Sequence, residues 1–344
     1  MRVLDRASDA QLRVGISVGP NGLPLAAAVD LAVRAEAAGL DMVGCGDGSV
    51  ENFALMGAIA SETTTIELVS CALTWARTPA TMAAGARTVA ELSEGRYRFG
   101  VGTMPRAWSE NWHGIDYSRP VERMRDYVAA TRAALTAAPG VSVQHSGQYY
   151  ELRDYVAFTE PPSEPIGLYL APSRLGMARL SGEVADGAIF NVVHSREWLS
   201  DVLLPGVDHG LRKAGRSRDA LDLGSLVFCS IADSESEAIE LLRPGLSFYF
   251  GVPYFTDLLR YHGFDEELAA GVEARDQGDA AAATRAVSDR LVRSIALAGT
   301  RESVQAELRA YEQLVDWVLL CTPIGQPAAV AFEQASRIIS AFGR

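Results

Sequence analysis

The sequence predicts a single-domain (β/α)8 barrel, an α/β fold over residues 1–344, with a β-hairpin insertion at about 141–152 and a helical insertion at about 251–290. Three observations carry this. Eight short β-type runs alternate with amphipathic helical stretches, and repeated βα units imply a parallel sheet. The chain of 344 residues suits a barrel, which needs roughly 250 residues before insertions. No GxGxxG opens the first helical stretch, which favours a closed barrel over a doubly wound sheet.

Leu12–Val18 reads as the first strand, followed by a helix over Pro24–Ala38 with apolar positions three and four apart and Gly39 as its stop. Asp41–Cys45 is the second strand and Glu51–Thr63 its helix. Ile66–Leu73 and Pro79–Leu92 form the third pair, where Pro79 suits a first helical turn because its missing N–H would be unpaired there. Tyr97–Val101 and Pro120–Ala137 form the fourth. Two alternating runs flank Ser146-Gly147 within Val141–Leu152, which predicts a hairpin. Ile166–Leu170 with Arg174–Gly182, Gly187–Val192 with Arg196–Ala214, and Ala220–Ile231 with Ser234–Phe248 continue the alternation. Gly251–Arg290 interrupts it. Helix Arg301–Gln313, strand Asp316–Cys321 and helix Gln326–Phe342 close the chain.

Composition excludes several classes. With 31 basic against 43 acidic residues, a net −12, the chain has no basic stripe for nucleic acid. The opening MRVLDRASDAQLR lacks the apolar core of a signal peptide, and no apolar run approaches the ~20 residues of a membrane span. Cytoplasmic location is the expectation. Cys45, Cys71, Cys229 and Cys321 are far apart without CxxC spacing, so buried free thiols are expected rather than disulfides or metal ligands. HExxH and P-loop spacings do not occur, and no metal is expected.

In such barrels the active site is built from strand C-termini and the loops that follow. Asp47 stands between Gly46 and Gly48 at the end of strand two. It can accept a hydrogen bond from a ligand ring N–H or serve as a turn aspartate bonded to local backbone. Trp75 follows strand three, and Thr103 and Met104 follow the Gly100-Val101-Gly102 strand end. Trp108, Trp112 and His113 read as an aromatic loop lining a pocket. Ala171-Pro172-Ser173-Arg174-Leu175-Gly176 leads from a strand into a helix, where backbone N–H groups, Ser173 and Arg174 suit an anion; an ordinary Ser N-cap with a solvated Arg is the other reading. His113 and His194 are the two histidines in loops at the catalytic end.

Together, AAAVDLAVRAEAAGLDMVGCGD, TTTIELVSCALTWARTPATMAAGARTVAELSEGRYRFGVGT, VQHSGQYYEL, PIGLYLAPSRLGMARLSGEVADGAIF and AGTRESVQAELRAYEQLVDWVLL resemble the luciferase-like monooxygenase superfamily. The resemblance implies an oxidoreductase using the deazaflavin coenzyme F420 or, alternatively, FMN. It implies that Asp47 contacts the cofactor ring and that Ser70-Cys71 is a non-prolyl cis peptide propping the ring. Thr103 and Met104 would lie beside the ring, and residues 171–176 would hold the phosphate. Gly48, Trp75, Trp108, Trp112 and His113 would line the substrate pocket. A homodimer is implied too, with a flavin reductase as partner if FMN is used.

Two positions depart from the deazaflavin-linked pattern. Gly48 stands where a histidine often follows the aspartate, and Pro105 where a glutamate often follows the strand. His113 or His194 then becomes the candidate proton carrier. The leading expectation is F420-dependent hydride transfer to or from a small organic substrate. The alternatives are an FMN-dependent monooxygenase using reduced flavin and oxygen, and a non-catalytic flavin-binding relative.

Overall fold

The computed structural model describes residues 11–19, 22–48 and 50–344. The expectation that the chain does not open on a signal peptide falls mostly outside them.

The described residues form eleven strands: β1 Arg13–Ser17, β2 Met42–Cys45, β3 Glu67–Thr74, β4 Tyr97–Gly102, β5 Val143–Ser146, β6 Glu151–Tyr155, β7 Gly167–Leu170, β8 Gly187–Phe190, β9 Asp222–Ile231, β10 Ala296–Gly299 and β11 Trp317–Cys321. The main sheet runs β10-β9-β11-β1-β2-β3-β4-β7-β8, and β8 also pairs with β9. Eight parallel strands thereby close a TIM barrel with helices between them. All eight strands expected from the sequence are members of this ring. β2 and β8 are buried at every position, as parallel strands covered on both faces require.

The sequence reading omitted β10, which lies on β9 outside the ring, pairing Ala296 with Phe228 through Gly299 with Ile231. Three small residues and one leucine directly after a helix carry too little alternation to announce a strand. β5 and β6 form a separate antiparallel pair on either side of Gly147. Segment 251–290 is helical, with Pro253–Tyr261, Asp265–Asp276 and Ala280–Arg285 followed by Asp289–Ile295.

Local chemistry sets the helix ends. Thr78 caps Pro79–Leu92 by accepting from Thr81 N–H, and Ser234 caps Glu235–Ser247 through Glu237 N–H. Gly39 ends Leu25–Ala37 at φ +78°, where a side chain would be strained.

Two compact units divide the chain: residues up to 44, 190–205 and 222–344 in one, and residues 45–189 and 206–221 in the other. In the first, Phe228, Leu242, Phe250, Phe255, Phe264 and Leu291 belong to one apolar cluster. At the strand N-termini there, Asp222 accepts from Arg13 Nη2 at 2.7 Å and from Trp317 Nε1 at 3.0 Å. In the second, Leu152 and Tyr155 of the hairpin pack on Ala83 and Ala134 of two neighbouring helices. Arg87, 6% exposed, ties this layer down by donating to the Ala137 and Thr159 carbonyls at 2.5 and 2.6 Å.

All four cysteines are free thiols, with Cys45, Cys71 and Cys229 buried. Burial first, then the nearby Asp47, pushes the Cys45 thiol up to about 12, so it is not a nucleophile at neutral pH. Among the described residues no helix is long and apolar enough to cross a membrane, and no cluster of three metal-ligating side chains occurs.

Candidate active site

The expected site residues that follow strands β2, β3, β4 and β7 lie within the second unit. Asp47 is 4% exposed at its side chain and forms an ion pair with Arg77, whose Nη2 lies 3.1 Å from Oδ1. Its Oδ2 also accepts the Thr74 N–H at 2.7 Å. Arg77 in turn reaches Glu51 at 2.6 Å and lies 5.1 Å from the Phe53 ring. The carboxylate is thus taken up by a cation and by an N–H of β3. Partial burial opposes ionisation of Glu51, but its bonds from Arg77 and Ala54 N–H hold it below the usual carboxylate range.

Behind this frame runs a chain of buried hydroxyls. Tyr97 donates to Ser70 at 2.6 Å, Ser70 donates to Asn52, and Asn52 donates to the Cys45 carbonyl at 2.8 Å. The Ser70 hydroxyl therefore braces β3 against helix Asn52–Glu62. The cis peptide expected at Ser70-Cys71 falls one residue later, at Cys71-Ala72. There the β3–β4 register slips between Ser70 and Leu73, after the Ser70 side chain has been fixed by Asn52 and Tyr97.

Three small residues converge at the ends of β3, β4 and β7. A Cβ placed on Gly102 would stand 3.5 Å from the Cβ atoms of both Ala72 and Ala171. The surface is side-chain-poor, as backbone approached by a flat ring must be. Met104 follows at φ 56°, a left-handed conformation costing a non-glycine residue about 1–2 kcal/mol. Thr103 Oγ1 and Tyr117 Oη are hydrogen-bonded at 2.9 Å.

Trp75 is 1% exposed and its Nε1 has no hydrogen-bond partner. Its ring meets Tyr117 edge-on at 5.6 Å, with the Arg123 guanidinium 5.4 Å from its centroid. Arg123 also lies by the rings of Tyr149 and Tyr150, at 5.9 and 5.7 Å. Those tyrosines come from the hairpin, which Asp126 pins by accepting from the N–H groups of Tyr149 and Tyr150 at 2.6 and 3.0 Å and pairing with His145 at 2.6 Å. Partial burial opposes ionisation of Asp126, but these bonds keep its carboxyl low. The approach requires Gly147, where a Cβ would sit 1.8 Å from Oδ1. Asp126→Ala leaves two N–H groups without their acceptor and is expected to lower unfolding free energy by about 2 kcal/mol. Urea denaturation would measure it, and an unchanged midpoint would show the pin to be unimportant.

Trp108, Trp112 and His113 were expected in a loop. They lie on helix Arg106–His113, which is closed by Gly114 at φ 65°. Positions 108 and 112 are four apart, so their rings stack at 4.6 Å and 11°. Pro105 at the N-cap and Gly114 at the end were the overlooked signals. Trp112 is 57% exposed, and His113 is the exposed last residue of the helix.

Residues 171–176 connect β7 to helix Leu175–Val184. Arg174 is the N-cap in extended conformation, with no side-chain cap on the first turn. Ser173 is not the cap, and of the two earlier readings the Ser N-cap is set aside. The first-turn N–H groups suit an anion.

His194 belongs to the first unit and is 2% exposed. Nδ1 bonds the Asn191 carbonyl and Nε2 lies 3.0 Å from Ser225 Oγ. Burial, only partly offset by the Asn191 bond, lowers its pKa to about 4. A neutral imidazole with both nitrogens occupied does not shuttle protons near neutrality, so the structure gives His194 a structural part.

A family model described as luciferase-like monooxygenase matches residues 9–316. The chain belongs to this family. It is similar to the 5,10-methylenetetrahydromethanopterin reductase of Archaeoglobus fulgidus, 28% identical over 254 residues covering 72% of this chain and 74% of the relative. Among solved structures, the coenzyme F420 dependent tetrahydromethanopterin reductase of Methanopyrus kandleri matches with TM-score 0.82 at 22% identity, covering 97% of this chain and 100% of that one. A monooxygenase from Streptomyces bottropensis matches with TM-score 0.68 at 16% identity, covering 96% and 98%. Both likenesses show the shared fold.

For this luciferase-like protein, sequence reasoning missed Arg77, Tyr117, Arg123 and the hairpin tyrosines. Arg77 alone left a trace, as a cation three residues past the end of a strand. Tyr117 and Arg123 reach Trp75 only through tertiary packing, and the hairpin tyrosines join them through Arg123.

Proposed function

We infer that this member of the luciferase-like family is a coenzyme F420-dependent oxidoreductase acting on a small organic substrate. The observation that carries the reading is the floor made by the meeting of three small residues at the strand ends, with Gly102 carrying no side chain between the Cβ atoms of Ala72 and Ala171. A planar tricyclic ring fits such a surface, and the uncapped first turn at Leu175 with Arg174 fits the phosphate of the same molecule. The family and its F420-dependent reductase relatives support an oxidoreductase.

When bound, the deazaflavin supplies two-electron hydride chemistry. Arg77 and Asp47 lock the end of β2 to the start of the Trp75 loop, so the floor keeps its shape. Cys71, Ala72, Thr103 and Met104 would hold the ring, and Gly48 and the Trp108–Trp112 pair would line the substrate pocket. His113 is the exposed last residue of its helix.

Titration with oxidised F420, followed by its fluorescence, is expected to saturate in the micromolar range. Gly102→Val is expected to weaken binding about tenfold or more by putting a branched side chain on the floor. Tighter binding of FMN than of F420 would overturn the reading in favour of a flavin monooxygenase supplied by a reductase.

A further inference from the structure

Trp75 holds the one buried side-chain donor in the described part of the site that nothing satisfies. A buried N–H without an acceptor is costly to the folded state and rare unless something later completes it. Its neighbour across the edge-on contact, Tyr117, has a hydroxyl bonded to Thr103 at 2.9 Å in which either atom can be the donor. When Thr103 donates, the Tyr117 O–H is left to donate elsewhere. Two uncharged donors on touching rings therefore point to an uncharged oxygen acceptor.

The cation beside them is already engaged. Arg123 Nε bonds Tyr150 Oη at 3.2 Å and Nη1 bonds the Asp116 carbonyl. Its guanidinium also faces three aromatic rings. An anionic substrate would have to compete for it, whereas a carbonyl oxygen needs only the Trp75 and Tyr117 hydrogens.

We propose that Trp75 and Tyr117 form a two-donor subsite for the carbonyl oxygen of a neutral substrate, a ketone, aldehyde or enone, and so set substrate class for the reaction inferred above. Neutral donors fit a site that selects by hydrogen bonding rather than charge. Trp75 is 1% exposed, so a ligand reaches Nε1 only if the side chains around the indole, Arg123 among them, shift to admit it.

Binding of three probes to the whole protein tests this by ligand-observed NMR: acetophenone, ethylbenzene and benzoate. Acetophenone should bind about five- to tenfold more tightly than ethylbenzene, the gain of one or two neutral hydrogen bonds. Trp75→Phe and Tyr117→Phe should each shrink that ratio towards one and leave ethylbenzene affinity unchanged. A purely structural role for either ring would not move the ratio. Tyr117→Phe removes a single oxygen atom, which keeps the test available if Trp75→Phe folds poorly. Equal affinity of acetophenone and ethylbenzene, a ratio that survives both substitutions, or tightest binding of benzoate would each overturn the subsite. F420 titration of the same samples separates the two readings. Cofactor binding without the probe contrast rejects the subsite alone, and the contrast without cofactor binding rejects the F420 reading alone.

Discussion

Arg77→Leu should destabilise the protein by about 3 kcal/mol, since removing one partner of a buried pair leaves the other charge without compensation. The partner is Asp47, 4% exposed at its side chain, which would retain only the Thr74 N–H as a bond from outside its turn. Urea denaturation would register the loss as a shifted midpoint with an unchanged slope. The double variant Asp47→Asn/Arg77→Leu should recover part of it, because an amide needs no countercharge. If the single variant matched the parent, the pair would be a surface ornament. F420 affinity should fall with stability in Arg77→Leu, because the frame fixes the floor on which the ring is proposed to lie.

Acid should weaken the fold through His194. Its folded pKa is about 4, whereas an unfolded histidine titrates near 6.5. Between those values the unfolded chain binds the proton and the folded chain does not, so stability falls as pH drops through that window. The loss integrates to about 3 kcal/mol. Paired carboxylates such as Asp126 also lose stability in acid, but their folded values lie below the usual carboxylate range, so their contribution comes at lower pH. His194→Gln can reproduce the bonds to Asn191 and Ser225 without titrating. It should flatten the dependence of the urea midpoint on pH between 6.5 and 4, even if the variant is less stable at pH 7. An unaltered slope would assign the acid limb to other groups.

The barrel was legible because its strands are continuous apolar runs and its helices carry their own punctuation. Thr78-Pro79 and Gly39 mark ends that no tertiary contact needs to decide. The aromatic helix was not legible as a helix, although Trp108 and Trp112 stand at helical spacing. With few aliphatic residues between Pro105 and Gly114, the segment lacks the apolar stripe by which helices are recognised. Strand-end chemistry was legible in outline: small residues, an aspartate, and an anion-suited turn. The cis bond lies at Cys71-Ala72, one residue past the expected place, a shift of one that no local pattern marks. Arg123 and Tyr117 were invisible for the same reason. Their partners lie on other elements, and a local pattern carries no record of them.

A closed ring of strands has no hydrogen-bonding edge exposed to another chain. β10 restores one. By lying on β9 outside the ring, it leaves its outer row of amides and carbonyls without a further strand, the arrangement that templates association between molecules. The protein contains the hazard by brevity and by cover. The strand is only four residues, Ala296–Gly299, with Ala296, Leu297 and Ala298 no more than 7% exposed. Helices Glu235–Ser247, Asp289–Ile295 and Arg301–Leu308 pack against it. These helices keep that edge out of reach of a second chain.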